Sequence, residues 1–296
     1  MIRWESGRNV EFRLTNDELR FASPRLSSSQ DGGSNLRIFM NTTNYHWSLI
    51  LALGLLLCFI ANAAADQLPE GDCNSPKPQT DLRHCTFWNK SFAGIDLQGA
   101  LLDGVSLRST NLTGCNLTGA SLRQTDLRWS DFSKCRLIDT DFSNSNLFHV
   151  TFNGATMDRA KLNKAYLFGA RFNYIQARQA DFTEAFMKDL NIAESDLVGS
   201  VFKRGKMFRA VMIGSNLSGA DLQDADLTGS ALEEADFSGA NLTRASLKGV
   251  TLDETTFAEA NLDQADFTGA RIENSNGAGF QNAINVPEHL KKMLNH

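Results

Sequence analysis

Proline is scarce in this chain and missing from most of it. All five prolines of the 296 residues (Pro24, Pro69, Pro76, Pro78 and Pro287) lie outside residues 79–286. A stretch of that length must turn many times, so its lack of proline points to one uninterrupted regular object with its backbone donors in use. Histidine is equally rare, at five: His46, His84, His149, His289 and His296. No H-x-x-x-H, C-x-x-C or P-loop occurs, so no catalytic residue, cofactor or metal ligand is assigned and an enzyme is not expected. Five cysteines exclude a disulfide-dense mini-protein. Charge of one sign is lacking too: 29 basic against 34 acidic residues give −5, which excludes a strongly basic nucleic-acid binder. Hydrophobic residues at 42% are too many for a disordered chain.

Long apolar runs are absent except for one, Trp47 to Ala65, WSLILALGLLLCFIANAAA. Its continuous part, Leu49 to Ala61, has the size of a signal-peptide core and ends in two A-x-A options, at Ala63 and at Ala65. Residues 47–65 are therefore read as a signal peptide, with a retained membrane anchor as the alternative. Residues 1–46 are read as a disordered extension, or as sequence upstream of a true start at Met40.

What is abundant is a period. From Cys85 the chain divides into fives without a gap: CTFWN KSFAG IDLQG ALLDG VSLRS TNLTG CNLTG, and onward to ARIEN at 270–274. The third place is Leu, Phe, Met or Ile in every one of the 38 units except at Ala177. The first place is usually small or β-branched, with Gly205, Lys90, Ile95, Ile175 and Leu190 as departures, and the second is often Asp, Asn, Ser or Thr. Five fits neither the 3.6 of a helix nor the 2 of a strand, so each unit must make one side of a coil and then turn.

Ala220-Asp221-Leu222, Ala225-Asp226-Leu227 and Ala240-Asn241-Leu242 are the A-[DN]-L-x-x signature. Through it the segment 85–274 resembles the pentapeptide-repeat family. The resemblance implies an all-β fold, a right-handed quadrilateral β-helix with four units per coil, here about 9.5 coils and, at about 4.8 Å per strand, about 45 Å long. Third and first places then face inward, and types twenty residues apart stack. Glycine at many fifth places, such as Gly99, Gly119 and Gly219, suits a tight corner. Residues 66–84 are the expected N-terminal cap. Residues 275–296, with Pro287 before Leu290, Met293 and Leu294, are the expected C-terminal cap with a short helix. Cys115 and Cys135, one coil apart, are read as buried thiols, with a disulfide that their stacking would permit as the alternative. In an exported chain, Cys73 and Cys85 are the candidate disulfide pinning the N-terminal cap.

Four sides follow from the resemblance. On the side of Phe87, Leu107 and Leu127, called here side zero, lie seven of the eight outward aromatics of the repeat; Tyr174 is the exception. The candidate interaction face is Trp129, Phe148, His149, Tyr166, Phe168, Phe186, Lys188, Lys206, Phe208 and Arg209. Its expected occupant is another protein, a glycan, a second copy in a homodimer, or the chain's own ends. Charge is uneven as well: residues 151–212 carry ten basic and six acidic groups, residues 213–275 three and twelve. Glu233, Glu234, Asp253, Glu254 and Glu273 share the next side.

The expected function is thus that of an exported, non-enzymatic interaction or scaffold solenoid, periplasmic, lumenal or secreted. One alternative, drawn from the family's quinolone-resistance branch, is a DNA mimic acting on a type II topoisomerase through the acidic coils. Another is a purely structural spacer tethered to a membrane by residues 47–65.

Overall fold

The computed structural model describes residues 68–271 throughout, together with Glu288 and the backbone of three short strands nearer the start. The expected signal segment 47–65 and all of the expected C-terminal cap except the helical Glu288 lie outside the described residues. Residues 1–67 and 68–296 form two separate compact units. In the first, β1 (Ile2–Trp4), β2 (Val10–Leu14) and β3 (Leu36–Arg37) make an antiparallel sheet in the order β1-β2-β3, with Ile2 opposite Phe12 and Arg13 opposite Arg37.

The second unit is a parallel β-solenoid. Single-residue bridges run from Ser91↔Asn111 to Thr251↔Arg271, every one parallel and twenty residues apart, so four five-residue units make one turn. The unit beginning at Ala220 shows why this sequence takes this path. Asp221 donates its N–H to Ser200 O of the preceding coil at 2.9 Å, and Leu222 donates to Asn241 O of the following coil at 2.8 Å. Asp224 also donates forward, to Thr243 O at 3.0 Å, and Ala220 closes the corner onto Leu217 O at 3.0 Å. One donor of the five is left over, that of Gln223, and it reaches the Asp221 carboxylate at 3.2 Å. The same contact recurs at Thr113 with Asn111, Ser133 with Asp131, Ser218 with Asn216 and Thr268 with Asp266. Asp and Asn are thus favoured at the second place because a side-chain oxygen there satisfies the donor that the ladder cannot use.

The inward columns are dry and stacked. Third-place residues from Leu82 to Phe267 are buried almost without exception. Phenylalanines one coil apart lie nearly parallel: Phe182 on Phe202 at 4.8 Å and Phe237 on Phe257 at 5.2 Å between centroids, close to the strand spacing itself. Serine and threonine at the first place are also buried, yet none is left unpaired there. Ser145 donates to Leu122 O at 2.5 Å and accepts the Thr125 N–H at 3.0 Å; Ser195 likewise donates to Phe172 O and accepts from Ile175. Each hydroxyl slots into the corner of the coil before it, which makes a polar residue acceptable in the core. Lys90, a departure from the small-residue rule, does not face inward: it is exposed, with Nζ 5.7 Å from the Phe87 ring.

Corners require positive φ at the fifth place, and Gly99, Gly119 and Gly219 adopt +64°, +67° and +65°. Many non-glycine residues share that conformation, and no Val, Ile or Thr is among them. Branching at Cβ clashes most with a left-handed backbone, so this is a second exclusion written into the period.

The coil-to-coil spacing also sets the surface electrostatics. Arg159 lies over Asp139, Arg209 over Asp189 and Arg244 over Asp224, each pair one coil apart. In each, hydrogen bonding from the guanidinium holds the carboxyl below its usual range. Asp266 falls furthest, from 3.8 to about 2, chiefly through the Thr268 hydroxyl, then the Thr268 N–H and Lys248. Depressed carboxyl values stabilise the folded chain above the unfolded pKa and lose that effect as pH falls through the folded one. Stability in urea is therefore expected to be flat from neutrality to about pH 4 and to fall between about 4 and about 2. A midpoint unchanged across that window would contradict these pairings. The groups are solvent-exposed, so each contributes little by itself.

Candidate functional site

Side zero presents three outward columns. In the fifth-place column Trp129 lies flat on His149, centroids 4.5 Å apart and planes at 8°. His149 in turn covers Gly169: a Cβ built there would come within 2.6 Å of His149 Cε1. Glycine is thus needed at 169 twice over, for its φ of +62° and for the imidazole resting on it. Gly169→Ala is expected to cost about 1–2 kcal/mol in urea unfolding. It should also move the His149 ring-proton NMR signals away from their ring-current-shifted positions over Trp129. Signals that stay in place would refute the stack.

The fourth-place column runs Arg128, Phe148, Phe168, Lys188, Phe208. Phe148 and Phe168 stack at 5.6 Å and 9°, and Lys188 Nζ sits 5.9 Å from the Phe168 ring. In the second-place column Tyr166 stacks on Phe186 at 5.1 Å and 4°. Cross-contacts join the columns: Phe148 meets Trp129 edge-on at 5.3 Å, His149 edge-on at 4.3 Å and Tyr166 at 6.4 Å. Six rings, Trp129, Phe148, His149, Tyr166, Phe168 and Phe186, therefore form one connected sheet-borne cluster.

Of the expected face, Phe208 is set apart, because Lys188 separates it from Phe168 in the column. Trp88, exposed at 61%, is set apart in the same way: Arg108 and Arg128 fill the two places between it and Phe148 in the fourth-place column. Lys206 is exposed at the margin, where it follows Phe186. Arg209 is not a loose cation. It grips Asp189 with two hydrogen bonds of 2.7 Å. What the cluster offers is apolar ring edge, the half-exposed Trp129 and nearby ammonium groups. Most ring faces are already taken by neighbouring rings.

Cys73 and Cys85 are joined, with Cα atoms 5.4 Å apart, as the candidate pairing has it. Cys115 and Cys135 stack sulfur over sulfur, Cα to Cα 4.6 Å, in reach of the bridge that their stacking permits. First-place residues stack directly over one another, which brings two such cysteines into bonding reach. Cys135 Sγ stands 2.9 Å from Leu112 O, where a serine hydroxyl would donate, so its thiol form has a partner as well. One cluster was not legible beforehand. His84, Glu70 and the Cys73–Cys85 pair come together where the first coil meets the segment before it, and that segment has no period to read.

Five-residue units, a bridge every twenty residues and stacked inward columns define a parallel β-solenoid of pentapeptide units. The family description "Pentapeptide repeat region" matches residues 85–162 and 130–202, and "Pentapeptide repeats (8 copies)" matches 206–244 and 240–276. The chain belongs to the pentapeptide-repeat family. Similar solved structures include HetL, a pentapeptide repeat protein involved in heterocyst differentiation regulation in the cyanobacterium Nostoc, at 23% identity over 67% of this chain and 87% of that one, TM-score 0.28. QnrB1, a plasmid-mediated fluoroquinolone resistance protein, is 16% identical over 71% and 97%, TM-score 0.35. A pentapeptide repeat protein of the Arabidopsis thaliana thylakoid lumen is 24% identical over 52% and 90%, TM-score 0.25. A comparison with curated proteins found no match.

Proposed function

We propose that this chain is an exported, non-enzymatic interaction module that binds another protein through the ring cluster of side zero. The observation that carries this reading is the connected cluster from Trp129 to Phe186, flanked by Lys188 and Lys206, on a surface where most outward positions are polar. Among the described residues, three of the four large exposed hydrophobics, Trp88, Trp129 and Tyr166, lie on that same side. Such a patch is the ordinary composition of a binding surface. A glycan needs open ring faces for stacking, and here Phe148, Phe168, Tyr166 and Phe186 cover one another, which favours a protein occupant, a distinct partner or a second copy. Export rests on the apolar run 47–65 and its small-residue end.

A photo-crosslinking residue at position 129 is expected to yield a discrete adduct in cells, at dimer mass for self-association or above it for a distinct partner. The same residue at Glu254, on another side, should yield none. Phe168→Ala should abolish the adduct while leaving the far-ultraviolet circular dichroism unchanged. No adduct from position 129, or adducts indifferent to Phe168, would sink the reading. N-terminal sequencing of the purified protein is expected to start at Ala64 or Asp66; a chain retaining residues 47–65 favours the tethered spacer instead. The topoisomerase reading has less beneath it, because Asp221, Asp224 and Asp266 in the acidic coils are already engaged by Lys203, Arg244 and Lys248.

A further inference from the structure

The segment before the first coil is held by its own short ladder. Gly71 donates to Asp81 O and Asp81 donates to Pro69 O, both at 2.9 Å, which sets Glu70 beside Asp81. Cys85 takes the first inward place of the repeat and is buried, His84 stands exposed at the preceding corner, and Cys73 lies half-buried in the segment above. The result is a convergence that a bridge between two sulfurs does not require. His84 Nε2 lies 3.3 Å from Cys73 Sγ, 3.6 Å from Cys85 Sγ and 3.5 Å from Glu70 Oε1. The two sulfurs and the imidazole nitrogen all fall within 4.8 Å of one another. The second pair, Cys115 and Cys135, stacks sulfur over sulfur with backbone groups as its polar contacts, and so serves as an internal contrast.

We propose that this end of the solenoid is a redox-gated zinc site, in which Cys73, His84 and Cys85 are ligands once the bridge is opened and Glu70 or a water completes the set. Two thiolates and an imidazole are the donors zinc selects; magnesium and calcium take oxygen ligands instead. Three donors within 4.8 Å of one another leave one position of its tetrahedral set for Glu70 or a water. The chemistry balances without further components. A dithiol reductant gives two electrons and two protons to the Cys73–Cys85 bond and becomes a disulfide itself. The two thiols then lose two protons as zinc binds. Reoxidation by a disulfide expels the metal. Either form fastens the segment at Cys73 to the first coil, so the end stays covered in oxidising and in reducing surroundings. The proposal is independent of the reading of side zero.

The test uses the full chain, the metal alone and a phosphine reductant, which opens disulfides without adding a competing thiol. Reduced protein is expected to take up one cobalt(II) per chain, with tetrahedral d–d bands and thiolate-to-cobalt charge transfer. One equivalent of zinc should displace it. Protein kept oxidised should take up none. Cys73→Ser should abolish uptake, and His84→Gln should weaken it at least tenfold. His84→Gln leaves the bridge able to form, so a thiol count on its oxidised form, together with circular dichroism, separates a lost ligand from a lost fold. Cys115→Ser/Cys135→Ser should bind as the parent does. A reduced chain that takes up no cobalt overturns the proposal. So does uptake unchanged in His84→Gln, or uptake lost with Cys115 and Cys135.

Discussion

Asn216→Pro is expected to destabilise the solenoid by about 3 kcal/mol or more, whereas Asn216→Ala should cost about 1 kcal/mol. The two substitutions share the loss of the side chain, whose Oδ1 accepts the Ser218 N–H at 3.0 Å and the Ser218 hydroxyl at 2.5 Å. Only proline also removes the backbone donor, which reaches Ser195 O of the preceding coil at 2.9 Å. The pyrrolidine ring further restricts Ser215, whose own N–H closes a corner onto Met212 O at 3.2 Å. Position 216 lies deep within the run that has no proline, so the experiment asks directly why that run has none. Urea midpoints measured side by side give the answer. If proline and alanine cost the same, the 216 donor is not part of the ladder and the account of the missing prolines fails.

The fold was legible because one spacing carries it. A third place filled by Leu or Phe in unit after unit has only one geometry that buries it, and the bridges twenty residues apart are that geometry. The reasons behind the other places were not visible in the letters. The period shows that Asp221 stands at a second place, but not that its carboxylate takes the Gln223 donor left over from the ladder. Ser195 looked like a small filler, but its hydroxyl joins Phe172 O and the Ile175 N–H across a coil. Those roles depend on which atoms face which, and a one-dimensional period does not encode that. The candidate surface was legible to the same extent. Counting by twenty put Phe148, Phe168 and Phe208 in one column, and the structure brings the first two together, with Lys188 between Phe168 and Phe208. His149 belongs to the candidate face by its position in the period; its place between Trp129 and Gly169 follows from left-handed corners stacking one above another. The cluster at Cys73 and His84 lay beyond such counting, because residues 66–84 repeat nothing.

Phe182→Ala is expected to cost about 3–5 kcal/mol, and Phe182→Leu about 1.5 kcal/mol or less. Phe182 is fully buried, stacked on Phe202 at 4.8 Å and meeting Phe172 edge-on at 6.2 Å. The cost of a cavity depends on how far its walls can close, and here they are held apart. Phe182 N–H donates to Val201 O at 2.7 Å, and Asp181 and Val201 pair across the coils on the same rung. These bonds fix the rise between coils whatever side chain is inside, so alanine should leave its void unrelieved. Leucine, by contrast, already fills the same column at Leu162 and Leu222, which shows that its shape suits the rung. Urea unfolding of both variants checks the point. If alanine were as mild as leucine, the coils could sink toward each other, and the stiffness assigned to the ladder would be wrong. A large gap between the two would instead show that in this solenoid the backbone sets the volume and the side chains must fill it.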